Sequence, residues 1–566
     1  MEKRALLALV ISFVIFIGFG YIQQKFYPPS PQKPATQPVE QPVEQPAAPK
    51  PAISPSPVAT PTTPSTPPTG VQKARDIVVD TPLYQAIFTE QGARLKSFRL
   101  KKYWGHLPFQ KIADFNLWFF GIDIQRYKRV GNQITDPKEL VQATTPDALP
   151  LALAWETKAA SVGAAEVYQA DQKAISLTDQ DKAKLSFTCV RPNGLTLVKT
   201  FTFEQNSYRL DLTATVKNQS SNPLEGDLAL SLTDDFSEVK DAGFTGFAWS
   251  AKKSRDTVAS GSLKESKMIG QLDWGSLESS YFMMAVVPPP SDFKFTATVQ
   301  DVASKIMTAT FRTQVASLPP GQEISLPYTL YFGPKDLDIL KSLGLGLEQT
   351  VDFGWFQILA LPLLYVLQFF FKYLHNYGWA IIVMTFLIRV LFLYPNHKSY
   401  QSMKDMQKLQ PKIAKLREKY KDDREALNKE LMGLYRTYKV NPMGGCLPMI
   451  LQLPVFIALY NILGYAIELR HAPFISTLPF TDIVWLADLS AKDPLLITPI
   501  IMGATMFIQQ KMTPSPGDPT QAKLMLMMPI IFTFMFLNFA SGLVLYWLLN
   551  NVLSIIQQYY TNKYMP

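Results

Sequence analysis

The placement of long apolar runs constrains this chain most, because most of them lie after Trp355. A helix needs about 20 mostly apolar residues to cross a bilayer. One run of sixteen residues, 379–394, is interrupted only by Thr385 and Arg389. A guanidinium at membrane depth costs roughly 2.5 kcal/mol or more, so such an arginine is expected to face protein or water and to serve a function. The sequence therefore predicts an integral membrane protein with a functional cation inside one span.

The first 70 residues predict a membrane anchor followed by a tether. Residues 5–22 are mostly apolar and follow the basic pair Lys3-Arg4, a pattern shared by signal peptides and uncleaved anchors. The length of the run favours a transmembrane anchor over residues 1–27, and its basic flank places the N-terminus in the cytosol. Residues 28–70 hold fifteen prolines, so they are expected to form an extended linker in the periplasm.

Residues 71–345 are predicted to form a periplasmic β-domain. Segments such as 84–89, 195–203 and 209–216 alternate apolar and polar positions and are separated by turn clusters. This pattern predicts a large antiparallel β-sandwich. The sandwiches of sugar enzymes share the pattern, but no pair of histidine and carboxylate stands out by its spacing. An interaction or spacer domain is therefore favoured.

Charge bias decides which apolar runs are predicted to cross the membrane. Runs 355–371 and 379–394 are separated by seven residues, and if both crossed, the basic segment after Pro395 would lie outside, against the positive-inside bias. The first run is therefore predicted to be an interfacial amphipathic helix within residues 346–378. The five-span α-helical core over residues 379–566 then consists of the runs 379–394, 446–467, 495–508, 524–539 and 543–556. With the anchor, the chain has six predicted spans and two cytosolic termini.

Between the first two core spans, residues 396–440 predict a cytosolic helical hairpin. Residues 397–439 carry twelve Lys or Arg against six Asp or Glu. Each predicted arm has one apolar face at helical spacing, formed by Met406, Leu409, Ile413 and Leu416 on the first and by Leu427, Leu431, Leu434 and Tyr435 on the second. Two interpretations stay open: a solvated coiled coil without a partner, or a mobile arm that receives emerging polypeptide or contacts the ribosome.

Arg389 has several candidate polar neighbours in other spans. These are Thr385 one turn earlier, Gln452, the pair Gln509 and Gln510, and the pair Asn550 and Asn551. Together they could line a hydrated groove in the inner leaflet. The alternative is an arginine that snorkels to the inner headgroups.

Several functional classes are disfavoured. No Asp or Glu lies inside a predicted span, which weakens a proton-coupled transporter. No phosphate-binding glycine loop and no nucleophile with a base at a known spacing is present, so no enzyme is predicted. Four scattered histidines and two cysteines predict neither a metal site nor a cofactor. The net charge of +9 is attributed to membrane topology rather than to sequence-specific nucleic-acid binding.

Five motifs in the C-terminal part resemble the YidC/Oxa/Alb family of membrane protein insertases. They are IVMTFLIR at 382–389, LQPKI at 409–413, KVNPMGGC at 439–446, ELRHAPF at 468–474 and SGLVLYW at 541–547. The order of anchor, linker and β-domain resembles the Gram-negative members of that family. The resemblance implies an insertase and chaperone of the bacterial inner membrane, with a periplasmic super-sandwich and a hydrophilic inner-leaflet groove.

The resemblance also implies roles for residues and partners. Arg389 matches a groove arginine that attracts polar or acidic substrate tails, Thr385 a threonine beside it, and Tyr546 and Trp547 an aromatic pair on the substrate path. Gln452 and Gln510 match polar groove positions. The implied partners are nascent membrane proteins, Sec translocon components and membrane lipids, while ribosome contact stays open because a Lys/Arg-rich tail is missing.

The sequence leaves two alternative functions open. A transporter or flippase could bind an anionic solute or lipid headgroup at Arg389. An envelope scaffold could bind glycan through its β-domain, with the helices serving only as an anchor.

Overall fold

The computed structural model describes residues 74–564, apart from 118–121, 130–135, 144, 158–160, 179, 238, 240–242, 289–292, 304, 316, 422, 441–446 and 514–518. The predicted anchor (1–27) and linker (28–70) lie outside the described residues. A β-rich part comes first along the chain, and a helical part follows it.

Strands fill the first part and recur twice in a later loop. Their bounds are β1 Asp76–Asp80, β2 Tyr84–Thr89, β3 Arg94–Trp104, β4 Phe109–Leu117, β5 Ile122–Arg129, β6 Pro137–Glu139, β7 Ala152–Glu156, β8 Ser161–Val162, β9 Gln169–Ala170, β10 Ala174–Ser176, β11 Lys182–Val190, β12 Leu195–Glu204, β13 Arg209–Asn218, β14 Asp227–Asp235, β15 Gly246–Ala251, β16 Ser254–Ala259, β17 Lys267–Ile269, β18 Trp274–Glu278, β19 Phe282–Val287, β20 Phe295–Ala303, β21 Ile306–Gln314, β22 Glu323–Pro334, β23 Ile475–Thr477 and β24 Val484–Leu486.

Three large sheets pack into the β-domain. Their strand orders are β16-β15-β18-β19-β22-β13-β12-β11-β9, β17-β20-β21-β14-β7-β8 and β10-β1-β2-β3-β6, and β4-β5 and β23-β24 form two small sheets. In β13, Leu210, Leu212, Ala214 and Val216 alternate with partly exposed residues, so one face of the nine-stranded sheet is buried.

Aromatic side chains join the nine-stranded sheet to both of the other large sheets. Phe201 of β12 lies 4.8 Å from Phe88 of β2, measured between ring centroids. Phe247 of β15 lies 6.1 Å from Phe311 of β21. The strand register places Phe201 and Phe247 on the same face of the nine-stranded sheet, so the other two large sheets both pack against that face.

The prediction of a wholly antiparallel sandwich is wrong at one pair, because β1 and β10 run parallel, with Val79 opposite Ile175. The chain passes directly from β9, in the nine-stranded sheet, to β10, at the edge of the five-stranded sheet. The direction of β10 is thus set by this crossing between sheets. A three-residue strand with one buried side chain gives no local signal for its direction.

Helices dominate the second part. Their bounds are α1 Leu337–Leu343, α2 Gln357–Leu374, α3 Tyr377–Leu391, α4 Leu393–Lys419, α5 Arg424–Thr437, α6 Leu447–Tyr465, α7 Ile497–Met512, α8 Pro519–Phe536 and α9 Ser541–Tyr564. Helices α2, α3 and α6–α9 correspond to the apolar runs. Helix α9 packs against α3, α6 and α7, and α2 packs against α3 and α6.

Among the described residues, one helix, Gly354–Leu374, is long and apolar enough to cross a membrane. Helices α3 and α4 are together also long and apolar enough, although the chain bends by 59° between them. Shorter apolar helices cover Ile450–Tyr465 and Met525–Phe536. Length and composition alone do not separate a helix that crosses the bilayer from one that lies in its interface. The interfacial position of α2 and the number of spans therefore stay predictions.

The bend between α3 and α4 corrects the predicted length of the span that carries Arg389. The sequence predicted a continuous run to residue 394, but α3 ends at Leu391 and α4 begins at Leu393. Pro395 explains the break, because a proline ring collides with the carbonyl group four residues earlier, which here is Leu391. Arg389 consequently lies in the last turn of α3.

The segment predicted as a hairpin consists of two packed helices, α4 and α5. Leu409, Ile413 and Leu431 form its buried core. The remaining apolar residues predicted for the two arms surround that core, as Met406, Leu416, Leu427, Leu434 and Tyr435. Helix α4 also packs against α6, which attaches the base of the hairpin to the other helices.

The loop between α6 and α7, residues 466–496, contacts the β-domain, and we call it the outer loop. Arg470 of this loop donates to the carbonyl of Trp104 at 2.7 Å, and its guanidinium lies 5.2 Å from the ring centroid of Phe282. Close by, the hydroxyl of Tyr281 donates to the carbonyl of Gly464 in α6 at 2.8 Å. The outer loop and the β-domain therefore lie on the same side of the helices.

Candidate functional site

Arg389 is held inside the helical part by α9. Its side chain is 8% exposed, and its Nη2 donates to Oε1 of Gln557 at 2.8 Å. The Gln557 amide in turn donates to the carbonyl of Leu393 at 3.4 Å. A snorkelling arginine would expose its head at the rim of the helix, whereas this guanidinium is covered by protein.

Most of the hydrogen-bond donors of Arg389 have no partner among the described residues. Its Nε is buried without a hydrogen-bond partner. Within the described residues its hydrogen-bond partner is the neutral amide of Gln557, and no carboxylate pairs with it. A guanidinium has five N–H donors, so most of its capacity stays available for a ligand.

Thr385 lies one turn before Arg389 and is 1% exposed. Its hydroxyl donates to the carbonyl of Ile381 at 2.6 Å, a bond within its own helix. The hydroxyl proton is thereby occupied, and the oxygen can still accept a hydrogen bond.

Gln452 and Tyr546 connect α6 to α9 beside the arginine. Nε2 of Gln452 donates to the hydroxyl of Tyr546 at 3.3 Å, and Tyr546 is fully buried. Tyr546 lies within electrostatic range of the Arg389 guanidinium. Arg389, Gln452, Tyr546 and Gln557 thus form one group, called the arginine cluster below.

Trp547 lies in a different environment from Tyr546, although the two are adjacent. Successive residues of an α-helix point about 100° apart. Trp547 packs among aromatic rings, with centroid distances of 4.9 Å to Phe456, 5.2 Å to Phe536 and 6.3 Å to Phe532. These four residues, from α6, α8 and α9, are called the aromatic cluster. The indole Nε1 is buried there without a hydrogen-bond partner.

Gln510 is half-buried near the end of α7. In the part of the chain that the structure describes, no hydrogen bond joins its side chain to Arg389. The polar contacts with α9 come instead from Thr505 of α7, which accepts from Asn551, and from Thr513, the residue after α7, which accepts from Gln558, each at 3.4 Å.

Sequence reasoning missed Gln557 and Gln558, because it ended the last span at residue 556, whereas α9 continues to Tyr564. The missed signal is spacing: polar residues recur three or four positions apart and form a buried stripe along α9. The members of the stripe are Asn551, Ser554, Gln558 and Thr561. The Oε1 atom of Gln558 is buried without a hydrogen-bond partner.

Two family models match separate parts of the chain. The model described as 60Kd inner membrane protein matches residues 369–566, and the YidC periplasmic domain matches residues 121–366. A membrane protein insertase YidC from Syntrophus aciditrophicus is 44% identical over the full length of both chains. The chain belongs to the YidC family of membrane protein insertases.

Two further relatives and one solved structure are similar to this chain. The insertase of Geotalea daltonii is 41% identical over the full length of both chains, and that of Geobacter sulfurreducens is 42% identical over all of this chain and 98% of its own. A crystal structure of an active YidC insertase with the first transmembrane domain resolved covers 87% of this chain and 94% of its own, at 18% identity and a TM-score of 0.36.

Family membership confirms the resemblance derived from the five motifs. The β-rich part is the YidC periplasmic domain, and the helical part belongs to an inner membrane protein. The YidC family consists of insertases rather than enzymes, so the predicted absence of an enzymatic function agrees with it. The transporter alternative is not favoured.

Proposed function

We propose that this insertase receives the polar tail of a nascent membrane protein at the arginine cluster, and that the following hydrophobic segment passes along the aromatic cluster into lipid. The observation that carries the proposal is the buried guanidinium of Arg389, which no carboxylate of the described chain neutralises. An acidic or polar group of a substrate would supply the missing partner.

No chemical energy source is needed for this route. Burying a segment of about twenty apolar residues in lipid is strongly favourable, so only the barrier for its polar flank must fall. A fixed cation attracts a carboxylate most strongly where water is scarce. Further hydrogen bonds to the tail would come from Thr385, Gln452 and Gln510. The polar tail would lie near Tyr546, and the hydrophobic segment would lie near Trp547.

The proposed topology has six spans and cytosolic termini. Its parts are the anchor 1–27, the linker 28–70, the β-domain 71–345, the interfacial helix within 346–378 and the five-span core 379–566. Support for an interfacial α2 comes from Gln368, which donates to Glu468 of the outer loop at 2.7 Å. That contact holds α2 beside a loop that also touches the periplasmic domain.

The proposed partners beyond the substrate are Sec translocon components at the β-domain and the ribosome at the hairpin 396–440. The hairpin supports the second contact because it carries twelve basic residues against six acidic ones between 397 and 439. Basic side chains such as Lys415 and Lys419 are exposed at its surface. Such a surface favours electrostatic association with a polyanion.

Crosslinking to stalled nascent chains tests the proposal. A photoreactive residue replaces Trp547, with a control at Ile556, a 48% exposed position on the same helix. Membrane proteins with acidic or basic tails are stalled on ribosomes, and Arg389→Ala is compared with Arg389→Lys. We expect crosslinks from position 547 to the hydrophobic segment, lost for acidic tails in Arg389→Ala and retained in Arg389→Lys. Lipid adducts without nascent-chain crosslinks would contradict the proposal and favour a lipid transporter.

A further inference from the structure

Strands β4 and β5 form a hairpin that stands outside the three large sheets of the periplasmic domain. Phe109–Leu117 pairs with Ile122–Arg129 as an independent two-stranded sheet. An isolated two-stranded hairpin is marginally stable in water, so its position depends on what it contacts. The side chains of these two strands decide what the hairpin can bind.

The strand register makes this hairpin amphipathic. Phe115 pairs with Ile124 and Ala113 with Arg126 on one face, whereas Asp114 pairs with Gln125 on the other. Phe115 is 60% exposed. The register shifts between Lys111 and Ala113, and Ile112 at this irregularity is 51% exposed. The hairpin thus presents large apolar side chains that the described residues leave largely exposed.

The outer loop fixes the hairpin beside the first turn of α7. The amide of Arg129 donates to the carbonyl of Asp482 at 3.3 Å, and Lys128 forms a bridge with Ile483. Further along β5, the amide of Gln125 donates to the carbonyl of Pro494 at 3.1 Å, three residues before α7 begins. From Arg129 towards Ile122, the hairpin therefore approaches the level at which α7 would enter the membrane.

Basic residues flank the apolar face. Arg126 lies on the same face as Phe115 and Ile124 and is exposed, whereas Arg129 at the base of the hairpin lies on the opposite face. Lys128 shares the face of Arg126 and is partly compensated by Asp482, at 3.6 Å. Apolar side chains bordered by basic side chains match a bilayer interface, where acyl chains lie just beneath phosphate groups.

We propose that the β4–β5 hairpin binds the outer leaflet of the inner membrane. Phe115 and Ile124 enter the boundary between headgroups and acyl chains, and Arg126 binds a lipid phosphate. The hairpin thereby fixes the orientation of the periplasmic domain above α7. This inference rests on the proposed placement of α7 in the membrane.

Photocrosslinking to lipid tests the inference with the full-length chain in vesicles. A benzophenone amino acid replaces Phe115, or Asp114 on the opposite face as the matched control. A third position, Ile501 on α7, is 46% exposed and reports whether that helix contacts lipid. Adducts are identified by intact mass in phosphatidylethanolamine vesicles with and without phosphatidylglycerol.

We expect several-fold more lipid adduct from position 115 than from position 114, with a further increase when phosphatidylglycerol is present. The variant Arg126→Gln should lose that increase, because the arginine no longer attracts anionic headgroups, whereas Arg129→Gln on the opposite face should keep it. Equal yields at 114 and 115, together with labelling at 501, would overturn the hairpin inference. Crosslinks from 115 to protein would overturn it in favour of strand pairing with a protein. Absence of labelling at 501 would instead overturn the proposed membrane placement of α7.

Discussion

Two buried cations in this chain, Lys199 in the periplasmic domain and Arg389 in the helical part, have opposite surroundings. The ammonium of Lys199 is fully buried and donates to three carbonyls, those of Gly92 at 3.1 Å, Ala93 at 2.6 Å and Leu151 at 2.6 Å. Among the described residues, Arg389 donates to the amide of Gln557 alone, and its Nε has no partner.

The number of hydrogen-bond donors with partners distinguishes a structural role for Lys199 from a functional role for Arg389. All three donors of Lys199 are used, and its carbonyl partners lie near the starts of β3 and β7, so it connects two sheets to the nine-stranded sheet. Burial lowers the pKa of Lys199 well below its ordinary value. Arg389 has unused donors, which is a cost to folding unless a substrate uses them.

The largest expected effect is on Lys199. We expect Lys199→Met to lower the free energy of unfolding by about 3–5 kcal/mol, because three buried carbonyls lose their donor. Chemical denaturation of the full chain in detergent, followed by tryptophan fluorescence, measures this. Lys217→Met is the control, since Lys217 pairs with Glu323 at the surface of the neighbouring strand β13. Equal losses in the two variants would show that Lys199 has no special structural role.

Glu468 of the outer loop lies between these two cases, because it is half-buried and accepts one side-chain hydrogen bond, from Gln368. Burial raises its pKa from the ordinary 4.5 to about 7. The folded state therefore binds a proton that the unfolded state has released, and stability is lost as pH rises from about 5 through 7. We expect a loss of about 3 kcal/mol by pH 8 from this group alone.

Denaturation of the wild type and Glu468→Gln at pH 5 and pH 8 measures that loss. Glu468→Gln should remove the pH-dependent contribution of Glu468 to stability. Burial also raises the pKa of Asp234 to about 7, but Asp234 is present in both chains, so the difference between them reports on Glu468 alone. An identical pH dependence in both chains would exclude Glu468 as its source.

Arg389→Gln should affect insertion more than stability. We expect insertion of substrates with acidic tails to fall about tenfold, equivalent to about 1.4 kcal/mol. The free energy of unfolding should stay within about 1 kcal/mol of the wild type or rise, because an unsatisfied buried charge is removed. Insertion into proteoliposomes and denaturation in detergent measure the two quantities. A large loss of stability would place Arg389 with Lys199 as a structural residue.

The smallest expected effect comes from supplying Arg389 with a partner. Gln557→Glu places a carboxylate where the amide oxygen now accepts from Arg389. We expect stability to rise by about 1 kcal/mol or less through this pair and insertion of acidic tails to fall severalfold. Gln557→Leu is the control, which removes the hydrogen bond without adding charge. If Gln557→Glu inserted acidic tails as well as the wild type, the free charge of Arg389 would not be required.

Sequence patterns predicted some contacts well and missed others for physical reasons. Leu409 and Leu431 were placed on facing sides of a hairpin because helical spacing reports which face is apolar, and the two residues do share a core. Gln557 was missed because a polar residue after an apolar run looks like the end of a span. Its contact with Arg389 joins positions 168 residues apart, which local periodicity does not report.

The sequence by itself determined the two-part organisation, the helical runs, the hairpin and the family, because each depends on composition, short-range periodicity or continuous motifs. Only the tertiary structure decided that Tyr546 joins the arginine cluster while Trp547 joins an aromatic one, that β10 runs parallel to β1 and that the β4–β5 hairpin lies against the outer loop. Those features depend on how distant segments pack, and a side chain becomes buried, paired or unsatisfied only once its neighbours are in place.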